Sequence, residues 1–155
     1  MPESSGSKPT YLREVKITFK KRRVKNGSPL GESVSHPQQV YELFQDLQNE
    51  AKEKLIAISL DTKLKIISFE VVAIGSVKSI YGKPFEAIRS AIALNADGLI
   101  IVHNHPSGDV TPSEADKEFT AALKDITDKG GMAFCDHIII GDDAYFSFSN
   151  EGLLE

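Results

Sequence analysis

Residues 103–116, HNHPSGDVTPSEAD, gather the side chains of this chain best suited to holding a metal ion. His103 and His105 stand at i and i+2, and on a strand such residues share a face about 6.6 Å apart. Two neutral imidazoles placed there can converge on one ion at Zn–N distances of about 2.0–2.1 Å. Asp116 falls just past the first turn of an expected helix, where side chains lean back toward the N-terminus and its carboxylate can reach the strand end. Two histidines and one carboxylate leave a fourth position for water. That is the pattern of a catalytic zinc centre, because structural sites are usually closed by four protein ligands rich in cysteine. Asp109 is an alternative ligand, but it sits in a Gly-containing turn where Asp is favoured for local backbone hydrogen bonds. Ser113 and Asp116 also suit the free N–H groups and dipole of a helix N-terminus, and the two uses can coexist. His137, ahead of the apolar run 138–140, reads either as a satisfied core histidine or as a support behind the ligands.

The spacing His, any residue, His, seven residues, Ser, two residues, Asp is met by His103, His105, Ser113 and Asp116. Together with HPSGD, TPSEAD and DHIIIGD at 136–142, it resembles the JAMM or MPN-type metalloproteases, and within them the RadC-like bacterial branch, over roughly residues 35–155. The resemblance implies an MPN (JAB) core similar to the cytidine-deaminase-like architecture. It also implies a Zn2+ cofactor and hydrolysis of an amide or isopeptide bond in a peptide or protein substrate. The family's upstream Glu, the general base, corresponds to Glu53, which precedes the apolar run 54–60 and Asp61; Glu50 and Glu70 are rivals. By the same resemblance Ser113 would donate its hydroxyl to the oxyanion of a tetrahedral intermediate. Phe85 departs from the RadC-like pattern, which tends to carry a basic residue there before the helical Glu86. The RadC name is associated with DNA repair, so a nucleic-acid-binding accessory stays open as an alternative. So does an interaction scaffold with a catalytically silent site.

The elements that must position these residues can be read from periodicity. Ser35 with Gln38 can form a capping box for an amphipathic helix on Val40, Leu43, Phe44 and Leu47, running to about Ala51. Runs 55–60 and 64–70, separated by Asp61, Thr62 and Lys63, read as a hairpin whose second strand could extend through 71–77. Pro84 suits the first turn of a helix that would bury Phe85, Ile88, Ile92 and Leu94. A buried strand at 99–102 then leads into His103. Thr111 as N-cap, Pro112 at the first helical position and Glu114 predict a helix with Phe119, Ala122, Leu123 and Ile126 on one face, stopped by Gly130 and Gly131. Two strands follow, at 132–140 and 144–149. The expected fold is α/β, a mixed sheet flanked by helices, with residues 1–10 a flexible leader and 11–155 one domain.

A chain of 155 residues with 41% hydrophobic and 26% charged residues falls in the globular range, and no run approaches the roughly 20 apolar residues of a membrane span. One cysteine, Cys135, excludes an intrachain disulfide, and with no apolar leader segment a reducing cytoplasm is expected. Charge is unevenly spread. Residues 1–36 carry eight Lys/Arg against Glu3, Glu14 and Glu32, a local +5, leaving −9 for the rest of a chain of net −4. Lys20, Lys21, Arg22, Arg23 and Lys25 could contact phosphates or an acidic partner. Alternatively Val15, Ile17 and Phe19 alternate with Lys16, Thr18 and Lys20 as a half-buried edge strand of an 11–34 extension, guarded by its charges or paired with a second copy in a homo-oligomer.

Overall fold

Strand-sized aliphatic runs alternate in this chain with helical periodicity, and the fold follows that order. The computed structural model describes residues 9–18, 20, 21, 23, 29–75, 81 and 83–155. Its elements are α1 (Pro37–Phe44), β1 (Lys54–Leu60), β2 (Ile66–Ile74), α2 (Phe85–Ala93), β3 (Gly98–Asn104), α3 (Glu114–Gly130), β4 (Ala133–Gly141) and β5 (Ala144–Ser147). The strands form one sheet in the order β2-β1-β3-β4-β5. Only the β3–β4 pair is parallel, and α3 is the crossover between them.

Every residue of β3 is buried, so its two faces both need cover. Leu99 and Ile101 join Leu55, Ala57, Phe119, Leu123, Ala87, Ile88 and Ala91 in a core beneath α2 and α3. Ile100 and Val102 join Ile56, Ile58, Ile138, Ile140, Val40 and Leu47 in a second core on the α1 side. The result is three layers, and alternation carries His103 onto the α3 side and Asn104 onto the α1 side.

Local corrections are informative. The first helix begins after His36, one residue later than expected. Gln39 rather than Gln38 reaches back, its Oε1 accepting from the backbone N–H of Ser35 at 2.7 Å and of His36 at 3.0 Å. After Phe44 the chain tightens into a 3-10 turn, Gln45–Asn49, instead of continuing as α-helix. In α2 the inward face is Ala87, Ile88 and Ala91, whereas Phe85 and Ile92 point outward at 59% and 54% exposure. Small residues let that helix lie close on the sheet, which the larger pair could not. The basic strand does not form over its described part: residues 9–18 carry no strand, and Val15 and Ile17 are exposed. Phe19, Arg22 and Lys25 lie outside the described residues, while Lys20, Lys21 and Arg23 are exposed.

In β4, next to His137, the buried Asp136 carboxylate accepts from the Ser147 hydroxyl at 2.6 Å and from the N–H groups of His137 and Ser149 at 2.7 and 3.0 Å. Burial nevertheless pushes its carboxyl above the ordinary range. Among the described residues no helix is long and apolar enough to cross a membrane.

Candidate metal centre

His103 is the penultimate residue of β3, and His105 lies one step past its end, held there by its N–H donating to the Ile140 carbonyl at 2.9 Å. The chain then turns through Gly108, whose φ of +85° favours glycine. That turn seats against Gly141, where an added Cβ would lie 2.2 Å from the Gly108 carbonyl oxygen. Helix α3 starts at Glu114 with Ser113 as N-cap, two residues later than Thr111 would have set it. The cause is reciprocal: Ser113 Oγ accepts from the Asp116 N–H at 3.1 Å, and Asp116 Oδ2 accepts from the Ser113 N–H at 2.8 Å. This box aims the Asp116 carboxylate back at the strand end.

The ligand atoms of His103, His105 and Asp116 meet. His103 Nε2 lies 3.0 Å from His105 Nε2 and 3.4 Å from Asp116 Oδ1, and His105 Nε2 lies 3.3 Å from Asp116 Oδ2. A tetrahedral ion with bonds of about 2.0–2.1 Å spaces its ligand atoms about 3.3–3.4 Å apart. His105 Nδ1 sits 2.7 Å from the Asp109 carbonyl oxygen, which can only accept, so Nδ1 bears the proton and a neutral ring turns its Nε2 lone pair toward the other ligands. Two lone pairs and a carboxylate facing one another repel unless a cation lies among them. The donor set therefore fits a divalent metal ion.

The electrostatics agree. Burial holds the His103 imidazole down to about 4 against the pull of Asp116, so it is neutral at pH 7. With no ion between them, a proton on His105 Nε2 can hydrogen-bond to Asp116, which raises His105; a bound cation would take that proton's place. For Asp116, burial alone would favour the protonated acid, but His105, the neighbouring His103, Tyr81 and the Ser113 N–H outweigh it and keep the carboxylate ionised.

A cavity of about 300 Å3 opens on this centre, lined by Glu53, Tyr81, His105, Pro106, Ser107, Ser113 and Asp116. Glu53 is thus beside the ligands. Glu50 instead pairs with Lys54 at 2.6 Å, and Glu70, on the edge strand, accepts from the Ser90 hydroxyl. The Asn104 side chain fixes the backbone around Glu53, accepting from the Lys54 N–H at 2.7 Å and donating to the Lys52 carbonyl at 3.2 Å. Asp109 does not join the ligands: its carboxylate is exposed and accepts from the Thr111 N–H at 2.9 Å, which lowers its pKa.

Residues 34–153 of the sequence match the model of the RadC-like JAB domain. The chain belongs to the RadC-like JAB domain family. Its relatives include UPF0758 proteins of Aquifex aeolicus, 41% identical over 122 residues (79% of this chain and 53% of that protein), and of Chlorobaculum parvum, 40% identical over 134 residues (86% and 60%). A third, from Lactococcus lactis, is 38% identical over 136 residues, covering 87% and 60%. This RadC-like JAB domain thus spans between half and about three fifths of those proteins.

Three residues around the RadC-like centre were not legible beforehand. Tyr81 donates its hydroxyl to Asp116 Oδ1 and stacks on Phe119 with centroids 4.5 Å apart; burial raises its pKa. Thr120, four residues past Asp116, bonds at 2.6 Å both to the Asp116 carbonyl and to His137 Nδ1. Asn104, between His103 and His105, has its bonds to the Lys54 N–H and Lys52 carbonyl across the β1–β3 pairing, where no local spacing signals them. His137 is a core histidine and a support at once: it is wholly buried, held neutral by that burial, and its Nε2 lies 2.7 Å from His103 Nδ1. The i, i+4 spacing of Asp116 and Thr120 on one helix face is the signal that could have found the threonine.

Proposed function

We propose that this RadC-like JAB domain is a zinc-dependent hydrolase that cleaves an amide or isopeptide bond in a peptide or protein substrate. The observation that carries the reading is the triangle of His103, His105 and Asp116 ligand atoms opening on a cavity shared with Glu53 and Ser113. Bound there, zinc would supply Lewis acidity and bring the pKa of a water from about 15.7 to about 7. Glu53 stands where it can take that water's proton as general base and return it to the leaving amine. Asn104 holds Glu53 by the backbone on both sides, so the base approaches from a fixed direction. Ser113 Oγ accepts from the Asp116 N–H and keeps its own proton available for a developing oxyanion, a donor worth roughly 2.7–4 kcal/mol when preorganised. Tyr81 and the Ser113 N–H each bond one oxygen of Asp116 and stop the carboxylate from rotating.

The test joins metal analysis with hydrolysis of peptide and isopeptide libraries. One zinc per chain, lost in His103→Ala and kept in Glu53→Gln while Glu53→Gln abolishes turnover, is the expected result. Unimpaired hydrolysis by Glu53→Gln would remove Glu53 as the base. A blank library profile from zinc-loaded protein would favour the silent scaffold.

The exposure of Lys20, Lys21 and Arg23 supports a second reading, a nucleic-acid-binding accessory. Binding with a steep salt slope that disappears when Lys20, Lys21, Arg22 and Arg23 are neutralised would favour it.

A further inference from the structure

The direction of each hydrogen bond behind His103 can be worked out from the one group that has no choice. The Asp116 backbone carbonyl can only accept, so the Thr120 hydroxyl, 2.6 Å away, spends its single proton there. Thr120 Oγ1 is then an acceptor toward His137 Nδ1, also at 2.6 Å, and Nδ1 must carry hydrogen. On a neutral, wholly buried ring this leaves a lone pair on His137 Nε2. His103 Nδ1, 2.7 Å from that lone pair, must in turn donate. The proton of His103 is therefore on Nδ1, and Nε2 presents a lone pair to His105 and Asp116.

We propose that Thr120 and His137 are positioning residues that fix the tautomer of His103, using the Asp116 backbone carbonyl as the reference that sets the whole chain of donors. The inference rests on the metal reading only for its consequence; the hydrogen-bond order stands on the geometry. Asp116 acts twice, through its carboxylate beside His103 Nε2 at 3.4 Å and through its carbonyl at the far end of the chain. The route closes on itself through Thr120, His137 and His103. A rearranged order, with hydrogen on His137 Nε2, would push the His103 proton onto Nε2 and block the ligand position. Stacking on Phe148, 4.9 Å away and inclined by 9°, holds the His137 ring against turning over.

The experiment reads ring nitrogens by NMR on histidine-15N-labelled, metal-free full chain, and zinc affinity by competition with a chromophoric chelator. In wild type, His137 and His103 are expected as neutral Nδ1–H tautomers. Thr120→Val, isosteric but without the hydroxyl, is expected to let His137 populate Nε2–H and to weaken zinc by roughly 10- to 100-fold, the usual effect of losing a group behind a ligand. Thr120→Ser, which keeps the hydroxyl, retains wild-type affinity and tautomers. An Nε2–H tautomer of His137 in wild type, or unchanged tautomers in Thr120→Val, overturns the proposal. Wild-type chain with the stated tautomers but no stoichiometric zinc overturns the metal reading instead.

Discussion

Asn104 and Glu53 are joined through the backbone: one buried amide accepts from the Lys54 N–H and donates to the Lys52 carbonyl, bracketing the glutamate between them. The asparagine sits between the two histidine ligands, on the opposite face of β3 from His103. Ligand strand and proposed base are thereby held by a single side chain. Asn104→Ala strands the Lys54 N–H, and a loss of about 1–3 kcal/mol in stability is expected. Hydrolysis should fall while zinc content stays at wild type. Urea unfolding, metal analysis and kcat on the same preparation check the three parts; a variant that loses zinc in proportion to activity would contradict the division.

Metal removal has a stability signature. Ligands placed within reach of one ion only in the folded chain stabilise it by mass action, about 2.7 kcal/mol at a free concentration of one hundred times Kd. For a domain of this size the expected rise in Tm is about 5–10 °C. It should vanish with a chelator and in His105→Ala. Equal zinc-induced shifts in wild type and in that variant would place the ion elsewhere.

The loop after His105 depends on a close approach. A methyl group at Gly141 would meet the Gly108 carbonyl oxygen at 2.2 Å, a contact that the backbone must relieve by moving. Gly141→Ala is expected to cost about 1–3 kcal/mol, as overpacking does. Because the loop also supplies the Asp109 carbonyl that His105 Nδ1 requires, zinc affinity should drop with it. Denaturant midpoints and chelator competition measure the two effects.

Asp136 predicts a pH dependence carried by a group outside the candidate ligand set. Its carboxyl is raised above the unfolded value of about 3.9, so the native state holds the proton more tightly. The sign follows: this group's contribution is fully present below the unfolded pKa and is lost as pH rises through the raised native value. Asp136→Asn removes that slope. The stability difference, wild type minus variant, should decline as pH rises from acid toward neutral in urea titrations. A flat difference would show that the hydrogen bonds from Ser147, Ser149 and His137 cancel the burial.

How far the molecule could be read beforehand depended on distance along the chain. His103, His105 and Asp116 come from one strand, one loop and one helical turn, so spacing alone brings them together. Continuous apolar runs marked β1, β3 and β4, which are buried along most of their length, whereas β2, with no buried residue, followed from the turn at Asp61, Thr62 and Lys63. Tyr81 is 35 residues from Asp116, and no periodicity relates them. Helix α3 is capped by Ser113 rather than Thr111 because the reciprocal Ser113–Asp116 box forms in place of the expected Thr111–Glu114 one. Side-chain size does not mark the inward face of α2, because Ala87 and Ala91 are what permit close packing. Val15 and Ile17 alternate as an edge strand would, but alternation cannot say whether a sheet edge receives them.

The ligand set and its accessories arrive by different routes. All three ligands lie within residues 103–116, whereas Glu53 comes with β1 and His137 with β4. In terms of assembly, the first is a short-range closure of β3 on the opening turn of α3, and the second needs long-range strand pairings, which form more slowly. The residues proposed to hold the ion are therefore near one another in the chain, while the proposed base and the support behind His103 both depend on a completed sheet.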